Sequence, residues 1–187
     1  MEIMTISDVL TPTYYVNLQN YFSSYKVDWH YKKHVHYVQE DHSNTSDSHG
    51  FMTMIYNNDL VVSPDFDKTV PVLYAIVDRM GCELKKILRI HACLTLNINK
   101  SHDNYPHTDF LLSDVGDNWY TAIYYLGESD GDTLFFDDDQ KTIKYKQPFM
   151  ENTAVVFSGE IQHSGTLPTN HRERVILNYN FEISDGS

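Results

Sequence analysis

Three side chains in this sequence have the types and spacing of a metal site. His107 and Asp109 occur two residues apart in the stretch Tyr105-Pro-His-Thr-Asp109. In an extended strand, residues i and i+2 point to the same face, so an imidazole nitrogen and a carboxylate oxygen can converge on one point. The pair alone is weak evidence, because such a tripeptide arises by chance in many proteins. His163, just after the apolar run in AVVFSGEIQHSG, is the best candidate for a third ligand.

The chemistry of such a site follows from its donor set. An octahedral ion held by two histidines and one carboxylate keeps three positions open, which is typical of non-haem Fe(II) oxygenases. Cys82 and Cys93 are too few for an all-thiolate site. Arg174 follows His163 by eleven residues, inside RVILNYNF. A guanidinium there could bind the far carboxylate of a dicarboxylic co-substrate through two parallel hydrogen bonds.

Four features in this order resemble the 2-oxoglutarate/Fe(II)-dependent dioxygenases, and most of all their prolyl 4-hydroxylase-like branch. The first is the His107 and Asp109 pair, and the second is the segment TAIYYLGESDGDTLFF. The third is ENTAVVFSGEIQHSG, which leads to His163, and the fourth is RVILNYNF. Together they lie within residues 90–183. LTLNINKSHDNYPHTDF and RVILNYNF look closest to small oxygenases encoded by bacteriophages and related viruses.

The resemblance implies a set of ligands and a reaction. His107, Asp109 and His163 would bind Fe(II), and Arg174 would bind the C5 carboxylate of 2-oxoglutarate. O₂ is the second co-substrate and ascorbate a supporting reductant; 2-oxoglutarate is decarboxylated to succinate and CO₂ while a substrate C–H bond is hydroxylated. Arg172 is the alternative anchor for the C5 carboxylate, although it falls in the polar turn PTNHRE.

Four further residues complete the predicted site. Tyr125 matches the family tyrosine whose hydroxyl joins the arginine at the co-substrate carboxylate, and Asn97 occupies a place near the co-substrate in relatives. An ordinary structural place stays open as the alternative for both. Tyr105 shares a strand face with the ligand pair and Asn178 shares one with Arg174, so both are predicted to bind substrate.

The pattern of elements predicts a mainly β (α+β) fold, a double-stranded β-helix or jelly roll with one or more N-terminal helices packed on the major sheet. Apolar residues at helical spacing predict a helix over residues 69–88, with Pro71 in its first turn. The opening residues are too mixed to predict a helix, and alternation predicts a strand within 27–38. Further strands are predicted at 51–56, 91–98, 121–127, 131–137, 141–146, 152–158 and 174–183.

Length and charge limit the classes of function. A chain of 187 residues is expected to form a single domain, 1–187, with N-terminal strands, loop and helix in 1–89 and the catalytic β-helix core in 90–183. The net charge of −12 argues against broad nucleic-acid binding, although Lys141, Lys144 and Lys146 could form a local basic groove. No apolar stretch approaches the ~20 residues that span a bilayer. Without a secretory pattern in residues 1–15, we expect a cytoplasmic location, in the host cell if the protein is phage-encoded.

The remaining histidines are interpreted as structural or exposed. Solvent-facing side chains on a strand and a loop explain the histidine-rich tract better than a metal site does, and residues 40–50 are predicted to be a mobile loop. His91 is predicted to be a buried structural histidine, while His102 and His171 lack the strand context of a ligand. The tract contains His30, His34, His36, His42 and His49.

The sequence therefore predicts an oxygenase whose substrate is a peptide, a protein or a small molecule. Hydroxylation of a prolyl residue in a peptide is the best single prediction; a free amino acid and a nucleobase stay open, and the net charge disfavours the nucleobase. A non-oxygenase, cupin-like metalloenzyme would keep the three ligands but have no need of Arg174. A non-catalytic jelly-roll binding module would leave His107 and His163 without a role.

Overall fold

The computed structural model describes residues 3–33, 49–98, 105–110 and 118–184, and the statements below refer to these ranges. Within them the chain forms eleven strands and two helices. In chain order these are β1 (Ile3–Ile6), α1 (Pro12–Phe22), β2 (His30–Lys32), β3 (Gly50–Asn57), β4 (Leu60–Val61), α2 (Phe66–Met80), β5 (Leu84–Leu96), β6 (Trp119–Leu126), β7 (Thr133–Phe136), β8 (Ile143–Gln147), β9 (Thr153–Ser158), β10 (His163–Gly165) and β11 (Glu173–Ile183).

The strands form two antiparallel sheets. The major sheet has the strand order β1-β9-β6-β11-β5-β3-β2, with β4 paired to β3, and the minor sheet has the order β10-β7-β8. Strands that are distant in sequence are neighbours, because β11 lies between β5 and β6 and pairs with both. The predicted mainly β architecture with helices is confirmed.

Alternation along β11 explains how the major sheet divides the core. Val175, Leu177 and Tyr179 lie in a cluster with apolar residues of α1 and α2, so this face carries the helices. Ile176 points the other way, into a second cluster that includes Phe135 of the minor sheet. Successive side chains of a strand alternate between faces, so the even-numbered residues of β11 line the space between the two sheets.

The predicted helix over 69–88 is correct in the middle and wrong at both ends. The helix α2 begins three residues earlier, so Pro71 lies inside it and not in its first turn. It ends at Gly81, whose φ of +68° is left-handed and whose N–H bonds to the Asp78 carbonyl. Glycine adopts this conformation without a Cβ penalty and terminates helices for that reason. Leu84, which continued the apolar helical spacing, is the first residue of β5.

The N-terminal third departs further from the sequence prediction. The helix α1 begins at Pro12 and buries Tyr15, Leu18 and Phe22, although its mixed composition predicted no helix. Of the strand predicted within 27–38, β2 forms only over His30–Lys32, while 34–38 lie outside the described residues. The predicted strand at 51–56 and those after residue 90 are confirmed, with ends shifted by up to two residues except in β5, which begins at Leu84, seven residues before the predicted strand 91–98.

Two further expectations concern a membrane-spanning segment and the mobile loop. No helix in the described ranges is both long enough and apolar enough to cross a membrane. The predicted mobile loop at 40–50 falls almost entirely outside the described residues, as do His34, His36, His42 and His102.

Candidate active site

A cavity of about 270 Å³ lies on the face of the major sheet that is turned away from the helices. Strand register arranges the side chains of β5 and β11 on this face in four rows, from the Arg174 end to the opposite end. The cross-strand partners in these rows are Thr95 with Arg174, Cys93 with Ile176, His91 with Asn178, and Arg89 with Asn180.

The predicted metal ligands come together at this cavity. His107 and His163 are joined by two backbone hydrogen bonds, each N–H donating to the other residue's carbonyl at 3.0 Å. Their ring centroids lie 4.7 Å apart, and His163 Nε2 lies 3.9 Å from Asp109 Oδ2. Each of the three residues offers one ligand atom, and these atoms lie within 4.8 Å of one another. No other group of three possible ligands this close occurs among the described residues.

Backbone carbonyls fix both imidazole rings. His107 Nδ1 lies 3.2 Å from the Tyr105 carbonyl, and His163 Nδ1 lies 3.1 Å from the Ile161 carbonyl. A carbonyl accepts only, so each bond places a ring proton on Nδ1 and makes Nε2 the ring nitrogen that could bind a metal. Metal-binding histidines in proteins are oriented in this way. Tyr105 thus contributes its carbonyl to the site, while its side chain lies outside the cavity lining.

Four side chains hold the Asp109 carboxylate. Arg89 Nη2 donates to Oδ1 at 2.8 Å. Asn180 Nδ2 at 2.9 Å, Thr121 Oγ1 at 3.1 Å and Asn178 Nδ2 at 3.2 Å donate to Oδ2. The partners lie on β5, β6 and β11, so the major sheet orients a ligand that comes from another segment.

Sequence reasoning missed most of these partners. It noticed that Arg174 and Asn178 share one face of a strand and predicted that Asn178 binds substrate. The same alternation extended by two residues would have reached Asn180. Arg89 and Thr121 had no local signal, because their nearness to Asp109 depends on which strands are neighbours.

The charges at this end of the cavity are balanced. Burial alone would raise the pKa of Asp109, but the guanidinium of Arg89 and the neighbouring imidazoles outweigh burial and hold that pKa well below its usual range. Burial lowers the pKa of His163 to about 4, so its imidazole is uncharged at neutral pH. Arg89 forms a salt bridge with Asp109 at 2.8 Å and supplies a permanent positive charge beside it.

Arg174 lies at the other end of the cavity, buried and 3% exposed. Its Nε donates to the Gly131 carbonyl at 2.7 Å, and its Nη2 donates to Thr133 Oγ1 at 3.1 Å. Both acceptors are neutral, and no carboxylate forms a salt bridge with this guanidinium among the described residues. Burial accordingly lowers the pKa of Arg174. A buried cation without an anion is costly, so this end is suited to an anionic ligand.

Two glycines make room for the arginine. A Cβ at Gly131 would lie 2.5 Å from Arg174 Cδ, and a Cβ at Gly165 would lie 3.2 Å from Arg174 Nη1. Gly131, in the Gly-rich segment, and Gly165, two residues after His163, thus leave the space that Arg174 occupies. Arg172, the alternative anchor, is exposed and does not line the cavity.

The other two predicted co-substrate residues, Tyr125 and Asn97, form hydrogen bonds with residues other than Arg174. The Tyr125 hydroxyl is buried and donates to Thr133 Oγ1 at 2.8 Å, so it reaches Arg174 through a shared partner. Asn97 lies outside the cavity lining, and its Nδ2 donates to the carbonyls of Thr169 at 2.7 Å and His171 at 3.1 Å. The structure therefore gives Asn97 a place in the chain turn before β11 and does not bring it to the cavity.

Buried polar atoms without hydrogen-bond partners mark the cavity wall. They include Thr95 Oγ1, His91 Nδ1 and Asn178 Oδ1, all on residues that line the cavity. His91 is buried as predicted, and burial lowers its pKa to about 3. Buried polar groups in proteins are normally paired, so these three atoms are available to a bound molecule.

Comparison with known proteins shows similarity in structure but not in sequence. No protein-family model matches the chain, and no curated protein matches it. Among solved structures, a 2OG-Fe(II) oxygenase family oxidoreductase from Burkholderia pseudomallei superimposes with a TM-score of 0.66 at 14% identity, over 99% of this chain and 87% of that one.

Two prolyl hydroxylases are also similar. The enzyme from Trichoplax adhaerens, solved with a hypoxia inducible factor peptide fragment, has a TM-score of 0.60 at 12% identity, covering 96% of this chain and 83% of that one. The viral collagen prolyl hydroxylase from Paramecium bursaria Chlorella virus-1, solved as a 2OG complex, has a TM-score of 0.54 at 13% identity, covering 96% of each chain. The predicted jelly-roll fold and its resemblance to prolyl hydroxylases, a viral one included, are confirmed at the level of the fold.

Proposed function

We propose that this protein is a 2-oxoglutarate- and Fe(II)-dependent dioxygenase that hydroxylates a substrate C–H bond. The observation that carries the proposal is the pairing, in one cavity, of a three-residue metal-ligand cluster with a buried guanidinium that has no anionic partner among the described residues. The two prolyl hydroxylases and the oxidoreductase of the same fold support the same class.

The residues present fit Fe(II). Two imidazoles whose Nδ1 atoms are bonded to carbonyls and one ionised carboxylate make up the donor set that leaves three positions open on an octahedral ion. The outer hydrogen bonds to both rings and to Asp109 are the kind that orient metal ligands. His107, Asp109 and His163 would hold the ion, which when bound supplies O₂ activation.

The residues at the other end fit the C5 carboxylate of 2-oxoglutarate. Arg174 offers charged N–H donors with only neutral acceptors, and the unpaired Thr95 Oγ1 lies on its cross-strand partner. A charge-assisted hydrogen bond is about twice as strong as a neutral one, so a carboxylate there would be held firmly. Thr95 is thus proposed as a co-substrate contact that sequence reasoning missed, and Tyr125 acts through Thr133.

Each part of the chain has one task in this reaction. Arg174 binds and orients the co-substrate, and the apolar middle row of Cys93 and Ile176 keeps the cavity between the two ends poor in water. Burial raises the pKa of Cys93 to about 12, so its thiol stays uncharged beside the bound carboxylate. A cupin-like isomerase would not need the buried arginine, and a non-catalytic module would need neither end.

The proposed substrate is a prolyl residue in a peptide or protein. Met52 and Met54 of β3 line the cavity and pair across strands with Cys93 and His91 of β5, and flexible thioethers suit an apolar ring. The unpaired His91 Nδ1 and Asn178 Oδ1 could pair with the amide groups that flank such a ring. The relative solved with a peptide fragment supports a peptide over a free amino acid.

The experiment that tests the class is an anaerobic titration of metal-free protein with Fe(II) and 2-oxoglutarate, followed by visible absorption. In this class of enzyme a weak charge-transfer band forms only when both are present. We expect the band in the unmodified protein, its loss in Asp109→Ala, and its retention in the control Asp67→Ala, which alters an exposed carboxylate of α2. Iron binding by folded protein without the band would refute the 2-oxoglutarate site.

A further inference from the structure

Arg89 is held in one orientation beside the metal-ligand cluster. Its Nη2 donates to Asp109 Oδ1 at 2.8 Å and lies 3.4 Å from the Asp109 carbonyl oxygen, while its Nε donates to Asn180 Oδ1 at 3.0 Å. The ring of Phe110 packs against it, with 4.6 Å from Cζ to the ring centroid. Asn180 in turn donates to Asp109 Oδ2. The guanidinium is therefore fixed through two of its nitrogens, Nε and Nη2, and by the ring of Phe110.

The two oxygens of Asp109 are consequently different. Oδ1 carries the ion pair with Arg89, whereas Oδ2 lies 3.9 Å from His163 Nε2 and accepts three hydrogen bonds from neutral donors. Coordination of an ion by both oxygens would bring a second cation against Oδ1 and weaken its charge-assisted hydrogen bond with Arg89, in a site where the Asp109 side chain is only 7% exposed. Breaking such a bond is expensive in a buried site.

We propose that Arg89 is a positioning residue that makes Asp109 a one-oxygen ligand, through Oδ2, and so keeps a coordination position open. This inference rests on the proposed function, since it concerns the same metal site. With three single-atom protein ligands, an octahedral ion keeps three positions, of which a chelating 2-oxo acid takes two. A carboxylate that used both oxygens would remove the last one. Arg89 would thus act on the metal site through Asp109, and the position left open would be available to O₂ when the ion is bound.

The test counts the water ligands of a bound Mn(II) ion, which reports coordination without any turnover. Exchangeable waters on Mn(II) are counted by EPR in ¹⁷O-enriched water, first in metal-loaded protein and then after addition of 2-oxoglutarate. We expect three waters in the unmodified protein and one after 2-oxoglutarate is added. In Arg89→Gln we expect two waters, none after 2-oxoglutarate, and Mn(II) affinity lowered about 10–100-fold.

Matched variants separate positioning from folding. Arg89→Lys keeps the charge and one hydrogen bond, so it should restore the third water and hold Mn(II) within about tenfold of the unmodified protein. Arg79→Gln, which removes an exposed guanidinium bonded to the Asp8 carbonyl, should change neither quantity. Circular dichroism of each metal-free variant identifies any that fails to fold, and Arg89→Lys then carries the comparison.

Two results would overturn the inference, and a third concerns only the site itself. Folded Arg89→Gln with three waters and unchanged Mn(II) affinity would make Arg89 an ordinary structural ion pair. The same conclusion would follow if Arg89→Lys folds, binds Mn(II) with the same number of waters as Arg89→Gln, and both variants keep the Mn(II) affinity of the unmodified protein. If 2-oxoglutarate displaces no water from the unmodified protein, the proposed function fails, whatever Arg89 does.

Discussion

The two ends of the cavity differ in how completely the protein satisfies its own charges. At the metal end, the Asp109 carboxylate is opposed by Arg89 and accepts three further hydrogen bonds. At the opposite end, Arg174 has two neutral acceptors and no salt bridge within the part of the chain that the structure describes. Asp132, whose charge acts on Arg174, is itself paired with Lys146 at 2.7 Å.

This difference separates a preorganised site from an incomplete one. The metal end has its ligands held in place by hydrogen bonds that need no ion, so its geometry is a property of the fold. The Arg174 end keeps the desolvation cost of a buried charge until a carboxylate arrives. We therefore expect changes at the metal end to alter which ion binds and how, and changes at the Arg174 end to alter co-substrate affinity without altering ion binding.

The largest effect is expected from removing the unpaired charge. Arg174→Met should raise the dissociation constant of 2-oxoglutarate about 30-fold or more, because truncating one partner of a buried charge pair costs about 2–5 kcal/mol. Mn(II) affinity without 2-oxoglutarate should stay unchanged. Arg172→Met is the control, with an exposed guanidinium. Calorimetric titration measures both ligands, and the opposite ranking of the two variants would transfer the role to Arg172.

Acid should lower the free energy of unfolding of the metal-free protein through His91, which lies at the metal end of the cavity. His91 has a folded pKa of about 3, below its unfolded value of about 6.5. Between these values the unfolded chain binds a proton that the folded chain does not, so stability falls as pH decreases through that window. His91→Gln should flatten this decline by about 2 kcal/mol between about pH 6.5 and pH 5, as measured by urea unfolding. The same decline in His91→Gln and in the exposed-histidine control His30→Gln would contradict the assignment.

Crowding Arg174 should give an intermediate effect. Gly131→Ala places a Cβ within 2.5 Å of Arg174 Cδ and 2.7 Å of the Thr166 carbonyl, and overpacking of this kind costs about 1–3 kcal/mol. The unfolding temperature should fall together with the affinity for 2-oxoglutarate. Gly81→Ala is strained by its φ of +68° but touches nothing within 4 Å, so it should lower stability alone. Equal 2-oxoglutarate affinity in both variants would show that the slot around Arg174 is not needed.

The smallest effect is expected from the Tyr125 hydroxyl. In the structure it bonds to Thr133, so Tyr125→Phe removes one neutral hydrogen bond, worth about 1 kcal/mol. The dissociation constant of 2-oxoglutarate should rise no more than about fivefold. A loss as large as that of Arg174→Met would mean that the hydroxyl contacts the co-substrate directly, as in the family pattern.

The parts of the site that sequence predicted are those that depend on local spacing. His107 and Asp109 are two residues apart and Arg174 lies in an alternating run, so both could be found within a few residues. The strand expected under the pair is absent: residues 105–110 form only an isolated bridge at His107. The partners of Asp109 could not, because Arg89 and Asn180 meet only through the register of β5 on β11.

The departures in the fold have equally specific causes. Periodicity continued past Gly81 to Leu84, although the left-handed glycine ends α2 and starts the chain toward β5. Asn97 has the expected distance from His107 in sequence, but its amide is used by the carbonyls of Thr169 and His171. Spacing along a chain gives no information on which acceptor a side-chain amide reaches first.

The backbone hydrogen bonds between His107 and His163 have a consequence for how the protein exchanges its ion. They close a loop between residues 56 apart in sequence, so the entropy cost of bringing two ligands together is part of the free energy of folding. Ion binding then adds stability only by mass action on a folded site. A chelator should strip the ion while the circular dichroism stays constant, and another divalent ion should enter the same folded molecule. Occupancy is then set by which metals surround the protein at the time, and not by which metal was present when the chain folded.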